Sequence, residues 1–396
     1  MIIFFAFSCH PNQVDYKKEL PLLIDKALNN AKLQSQRMAQ ELSDKPGLLP
    51  KTLNKEGKLE TSNSGWWCSG FFPGILWYLY ENYNEEPLKK LAHEYTMRIE
   101  KEKYNTSTHD IGFMIFCSFG NAFRITGDST YRNTILTASE SLITRYNENV
   151  GCLRSWDYAN WNKQWEYPVI IDNMMNLEML MWASKAFNKP EFMKIAETHA
   201  LTTIKNHFRE DNSSYHVVSY DTITGEPLLK QTAQGYNHES AWARGQAWGL
   251  YGYTMMFRES RDTTFLDQAI KIANFLVCHP NLPDDKIPYW DYDAPDIPET
   301  LRDASAAAIM CSALIELSTL VNEDLSDKLL KVAEKQLYTL CSDEYLAEAG
   351  ENGNFILKHC VGHMPNKSEV DVPLTYADYY FVEALLRYKK LISGNL

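Results

Sequence analysis

The links between helical segments alternate, short then long, and that alternation limits the fold more than any other feature of this 396-residue chain. Apolar residues recur at three- and four-residue spacing, the period of one helix face, in about twelve segments. Their approximate spans are 22–43, 70–83, 87–101, 111–126, 129–147, 171–187, 190–207, 239–258, 263–279, 303–320, 324–341 and 374–392. Short turns join the second segment to the third (Asn84-Glu85-Glu86-Pro87), the fourth to the fifth (Thr126-Gly127-Asp128) and the sixth to the seventh (Asn188-Lys189-Pro190). The same holds at Ser260-Arg261-Asp262 and Asn322-Glu323-Asp324. Long stretches, 148–170, 208–238, 280–302 and 342–373, separate these pairs. A tight turn makes an antiparallel helical hairpin, so short turns gathered at one end force the long loops to the other. Six such pairs predict an all-α (α/α)6 barrel, a toroid whose even-numbered helices form the inner layer and begin at the loop-rich end. Little strand is expected, with Tyr215–Tyr220 and Phe355–Leu357 read as short hairpins inside the long loops. No linker rich in Pro, Gly or Ser divides the chain, so 22–396 reads as one domain behind a tail of residues 1–21.

Six of the segments open on unusual residues: Gly65–Gly74, His109–Phe113, Ile171–Asn176, His238–Trp248, Arg302–Ala308 and Thr375–Phe381. A packed core requires no such clusters. Binding and catalytic groups collect where loops meet a rigid scaffold, and the topology brings all six junctions to one mouth. The chain carries 10 Trp, 23 Tyr and 17 Phe, and aromatic faces stack on sugars and other flat ligands as readily as they fill cores.

A formal charge of −12 argues against a nucleic-acid groove or an acidic membrane surface, which need a basic field. It leaves room for a small anionic ligand held by one or two fixed cations. The eight cysteines show neither CxxC pairs nor zinc spacing and read as scattered thiols. No HExxH array, phosphate-cradling glycine loop or Gly-x-Ser-x-Gly elbow is present, so no metal or cofactor is expected. No apolar run approaches the ~18 residues needed to span a bilayer. The opening MIIFFAFSC resembles a short secretory core ending in a lipoprotein-like Ser8-Cys9, although its n-region lacks Lys and Arg. Export to a periplasm, or a lipid anchor at Cys9, is the expectation; a non-functional leader would leave the protein cytoplasmic. Oligomeric state is not legible.

Asp110 and Asp172 are the candidate catalytic pair. Each precedes or opens an apolar inner helix, where Asp more often caps free backbone N–H groups than does chemistry. His109 beside Asp110, and Asn173 and Asn176 after Asp172, add polarity that capping does not require. A proton donor at neutral pH needs a raised pKa, which an aromatic pocket and a second carboxylate supply. In His238–Trp248, Arg244 and Trp248 share a helix face while Trp242 falls at or before the first turn, leaning into the mouth. Trp156, Trp161 and Trp165 crowd the loop before Asp172. Arg302-Asp303 reads as an internal ion pair, and Tyr376, Asp378 and Tyr379 as core.

The strings WCSGFFPG, HDIGF, the Trp156 loop, IDNMMNLEMLMWA, DNSSYH, HESAWARGQAWGLYGY, YWDYDAP, RDASAAA and YADYYFVEALLR occur in this order between about residues 65 and 388. Together they resemble glycoside hydrolase family 88, the unsaturated glucuronyl hydrolases, with the related family 105 as the nearest confounder. The resemblance implies the (α/α)6 barrel already inferred. It also implies an exo-acting hydrolase for lyase-derived glycosaminoglycan oligosaccharides, small anionic substrates that carry a C4=C5 double bond at the non-reducing end. Asp172 matches the family's general acid and base, and Asp110 its second essential aspartate. His216, Gln234, Arg244 and Trp248 match positions that bind the unsaturated ring and its carboxylate, with Arg244 the expected bidentate partner. Trp67, Trp156 and Trp242 match stacking or pocket positions, and His109 lies among the binding residues. The segment 342–373 should shape the next subsite; Lys367 and Ser368 are its candidate sulfate contacts, with a solvated loop as the plainer reading. A family 105-like hydrolase of pectin fragments, or a sugar-binding toroid without turnover, are the competing expectations.

Overall fold

A computed structural model describes residues 14–396. The expected leader and the expected anchor position Cys9 fall outside the described residues. Among those described, two short 3₁₀ turns, Glu100–Tyr104 and Asn352–Asn354, lie in the links, and twelve main helices alternate between two layers. They are α1 (Tyr16–Glu41), α2 (Phe71–Tyr83), α3 (Glu86–Met97), α4 (Gly112–Gly120 running into Asn121–Thr126), α5 (Thr130–Ile143), α6 (Ile171–Asn176 running into Leu177–Phe187), α7 (Pro190–His207), α8 (Ala243–Ser260), α9 (Thr263–Cys278), α10 (Ala304–Ser318), α11 (Glu323–Leu340) and α12 (Thr375–Ile392). The even-numbered helices pack side by side in chain order, and α12 returns against α2 to close the ring. Each odd-numbered helix lies outside, against its inner neighbours. This is the (α/α)6 barrel the alternating connections predict.

Local chemistry explains the short turns. Asn84, Gly127, Asn188 and Arg261 each end a helix in the left-handed region, and each N–H bonds back to a carbonyl of the last turn. That motif stops a helix abruptly and frees the chain to reverse. Inner helices are apolar nearly all round because they touch neighbours on every side. In α10 every residue from Ala304 to Ser318 is buried, and its small side chains let α8 and α12 approach.

Two inner helices begin irregularly. Gly112–Gly120 is wound as a wide π-helix and Ile171–Asn176 as a tight 3₁₀ turn. Such windings recur at functional sites because they re-aim side chains that a regular helix would misplace.

Several boundaries differ from the sequence expectation. The first helix starts at Tyr16, not 22, and carries Pro21 inside it. Leu20 is fully buried, so the apolar face simply continues past the proline. Helix α8 starts at Ala243 rather than 239, because Ser240 and Trp242 are tied instead to Asp291 in the long loop between α9 and α10. The strand Val217–Tyr220 lies where one was expected, paired between Pro168–Ile170 and Pro227–Gln231. Phe355–Leu357 is not a hairpin: the Ile356 and Leu357 N–H groups donate to the Asp378 carboxylate at 2.9 and 2.8 Å. The hairpin of that segment is Cys360–His363 with Ser368–Val372. A further hairpin, Leu49–Leu53 with Leu59–Ser62, was not expected. Among the described residues no helix is long and apolar enough to cross a membrane.

Candidate active site

At the end where the inner helices begin lies a cavity of about 360 Å³. Asp110 and Asp172 both line it, from the starts of α4 and α6. Neither caps a helix: Asp110 Oδ2 accepts from Thr108 Oγ1 at 2.8 Å, and no side-chain cap forms at either helix start. The two carboxylates are held close by an intimate contact between their helices. A Cβ on Gly112 would sit 2.6 Å from Asn176 Cα, so only glycine fits there. Asn176 Oδ1 then accepts the Phe113 N–H at 2.9 Å across the same contact.

Burial pushes the Asp172 carboxyl up to about 7, with the Asp110 charge adding to the rise and the Arg244 cation opposing it. The side chain is only 13% exposed, and its Oδ2 is buried without a hydrogen-bond partner. His109, fully buried, places Nε2 3.2 Å from Asp110 Oδ1, and burial holds the imidazole below its usual pKa. His216 places Nε2 3.7 Å from Asp172 Oδ2. Burial, reinforced by Arg244, holds that imidazole neutral as well.

The other expected residues divide into cavity wall and support. Trp67, Trp156, Gln234, Arg244 and His109 line the cavity. Trp67 is propped by Tyr376 at 4.8 Å between ring centroids, and Trp156 by Trp161 at 5.1 Å. Trp242, Trp248 and His216 do not line it, contrary to expectation. Trp242 lies behind the wall, stacked on His216 at 4.5 Å with the Arg244 guanidinium 4.4 Å from its centroid. Trp248 is fully buried between Phe113 and Tyr380, deeper in the barrel. Both remain near the site because their helix starts there, but indole size favours the core.

Arg244 also differs from the open bidentate clamp. It is 1% exposed and donates to the Val361 and Gly362 carbonyls at 2.5 and 2.7 Å, with Asp303 at 3.4 Å. Gln234 Nε2 donates to the same Gly362 carbonyl at 3.1 Å. The expected Arg302–Asp303 pair is absent, since Arg302 binds Asp285 at 2.9 Å while Asp303 serves Arg244. Tyr376, expected in the core, is buried yet contributes to the cavity wall, and Asp378 is core, anchoring the 342–373 loop. Ser368 lines the cavity whereas Lys367 is exposed at the hairpin tip.

Sequence reasoning missed Lys51, Trp66, His363 and Glu369, which complete the rim. Lys51 Nζ binds Glu369 at 3.0 Å and lies 4.9 Å from the Trp66 ring centroid. The Trp66-Trp67 doublet could have flagged Trp66. Lys51 had no signal, because its short hairpin carries no periodic pattern.

A cavity with an acid poised near neutrality, a second carboxylate, indole walls and a buried cation suits proton transfer to a flat, anionic sugar. Comparison with known proteins gives the same direction. The model of Glycosyl Hydrolase Family 88 matches residues 36–391. An unsaturated glucuronyl hydrolase of Formosa agariphila is 47% identical over 328 residues, covering 82% of this chain and 80% of its own. An unsaturated chondroitin disaccharide hydrolase of Streptococcus pneumoniae is 32% identical, covering 82% of each chain. The crystal structure of an unsaturated glucuronyl hydrolase specific for heparin superposes with a TM-score of 0.90 at 49% identity, covering 94% of this chain and 98% of that one.

Proposed function

The chain belongs to Glycosyl Hydrolase Family 88, and from that premise we propose how its cavity releases an unsaturated glucuronyl residue from a glycosaminoglycan oligosaccharide. It is a glycosidase of unsaturated glucuronyl residues. Asp172 is the acid and the base. Protonated in the resting enzyme, it gives its proton to C4 of the C4=C5 bond, and positive charge develops on C5 and the ring oxygen. The Asp172 carboxylate then takes a proton from water as the water oxygen bonds to C5, which restores the acid. The resulting hemiketal opens to a C5 ketone, and the exposed C1 hemiacetal expels the shortened sugar. The products are a 4-deoxy-5-keto uronate and a saccharide one residue shorter.

The single observation that carries this reading is the Asp172 carboxyl raised to about 7 inside the cavity it shares with Asp110. An ordinary aspartate would be almost fully ionised at neutral pH and could not act first as an acid. The neighbouring Asp110 carboxyl supports that raised value and is placed to steady developing positive charge. Arg244 and Gln234 supply donors for the uronate carboxylate, which competes with the Gly362 carbonyl for them. Trp67 and Trp156 flank the ring as apolar walls. Ultraviolet absorbance of the conjugated double bond tests the reading. It should decay with an unsaturated disaccharide, stay flat after Asp172→Asn, and a saturated disaccharide should release no uronic acid. Release from the saturated sugar would mean conventional hydrolysis at the anomeric carbon.

A further inference from the structure

We propose that His216 is a positioning residue, locked as the neutral Nε2–H tautomer, which aims its only proton at Asp172 Oδ2 and so confines the transferable proton to Oδ1. The proposal rests on the reading of Asp172 as the acid and adds which oxygen delivers. His216 Nδ1 accepts two backbone N–H groups, from Ala233 at 3.1 Å and Gln234 at 3.3 Å. A nitrogen that receives donors presents its lone pair, so it holds no proton, and in a neutral imidazole the proton must then sit on Nε2. The Thr232 hydroxyl, 3.5 Å from the same Nδ1, adds a third neighbour on that side.

Aromatic neighbours hold the plane of the ring, and the two backbone donors hold Nδ1 on its side. Trp242 stacks on one face at 4.5 Å and the edge of Trp156 meets it at 6.0 Å. The opposite nitrogen, Nε2, is buried with no hydrogen-bond partner, and so is Asp172 Oδ2, which faces it at 3.7 Å. Two orphaned buried atoms aimed at one another make a donor–acceptor pair only if one carries the proton and the other does not. The tautomer assigns the donor role to His216, so a proton on Oδ2 would leave two hydrogens in opposition. Oδ2 is the sealed oxygen, and Oδ1 is the one through which this cavity-lining carboxyl reaches substrate.

Asp172 faces His216 with a carboxyl, while the other titratable groups packed around the ring work against its protonation. Arg244 on α8, His363 on the 360–372 hairpin, His207 on α7 and His109 before α4 all oppose protonation. Asp172 is faced by Asp110 and Arg244 in addition to His216. The imidazole therefore neither takes the Asp172 proton nor supplies one. It pins the carboxyl rotamer and, when Asp172 has given up its proton, stabilises the carboxylate that must next act as base.

Nitrogen NMR of enzyme labelled with ¹⁵N-histidine tests this on the folded wild type. Nδ1 of His216 should stay in the unprotonated range and Nε2 in the protonated range from about pH 5 to 9, whereas a protonated Nδ1 or a titrating ring overturns the proposal. A His216→Leu variant should lose roughly 10- to 100-fold in kcat with little change in KM, the usual effect of deleting a donor to a charged group. Its alkaline limb should move to higher pH, because a donor that favours the ionised carboxyl has gone; His216→Asn should recover part of both. A Leu variant with wild-type kcat and limb refutes the positioning role, and a variant that fails to fold leaves the NMR result to decide. If the wild-type enzyme leaves the double bond intact, the hydration reading falls, while the tautomer is still judged by NMR alone.

Discussion

At the scale of the residue, Asp172 trades stability for function. Its carboxyl titrates near 7 in the folded chain and near 3.9 when unfolded. Below about pH 4 both states are protonated and the site costs nothing. Between about 4 and 7 the unfolded chain ionises first, so a penalty grows, and above about 7 it is constant. Asp172→Asn should therefore be inactive yet more stable at pH 8, by roughly 1–4 kcal/mol, with no gain at pH 4; denaturant melts at both pH values would show it, and an equal or lower stability at pH 8 would contradict the raised pKa. For the wild type, kcat/KM should fall as pH rises through about 7, since the free enzyme then loses its acid. Much at this scale was legible. The two aspartates stood out because His109, Asn173 and Asn176 made their helix starts more polar than capping needs. Trp242 and Trp248 were misplaced because a string carries no sign of whether an indole faces the cavity or props the residue that does. The carbonyls of Val361 and Gly362, which occupy Arg244, are backbone groups, and sequence does not display them.

At the scale of the element, the proposed catalytic pair depends on how α4 and α6 begin. The close approach at Gly112 and the π and 3₁₀ windings put Asp110 and Asp172 in one cavity. Gly112→Ala forces its Cβ onto the Asn176 backbone and should separate the two helix starts. Overpacking of this kind costs about 1–3 kcal/mol, and kcat should fall further than that stability loss explains, as a shift near 1 Å misplaces the acid. Thermal melting and steady-state kinetics on one preparation would check it; unchanged kcat would show that the close approach is only packing. Helices were readable in the sequence because a 3.6-residue period repeats over many turns. The windings were not, since both still present an apolar helical face. Strands of four or five residues, such as Leu49–Leu53, hold too few alternations to register, and one of them carries Lys51 to the rim.

At the scale of the whole molecule, the end of the barrel opposite the mouth holds a charged network around a second cavity of about 470 Å³. Glu316 on α10 accepts from Arg258 on α8 at 2.6 Å and forms an ion pair with Arg387 on α12 at 2.8 Å. Glu383 on α12 accepts from Tyr78, Tyr251 and Ser312 on α2, α8 and α10. Removing one member strands buried partners, so Glu316→Ala should lower stability by about 3–5 kcal/mol while KM stays near the wild-type value, as measured by denaturant melts and steady-state kinetics; a changed KM with intact stability would mean that this network reaches the mouth. The closed ring was predictable from loop lengths alone, whereas the charged network joins residues far apart in sequence. The same geometry lets a chain of charge −12 accept an anionic sugar, because six inner helices point their electropositive N-termini toward the mouth. What remains decisive is where the proton goes. Turnover of an unsaturated disaccharide in deuterium oxide, followed by NMR of the first product formed, should place a single deuterium at C4 of the uronate. A product without deuterium at C4, or one that keeps its double bond after the sugar has left, would contradict the account.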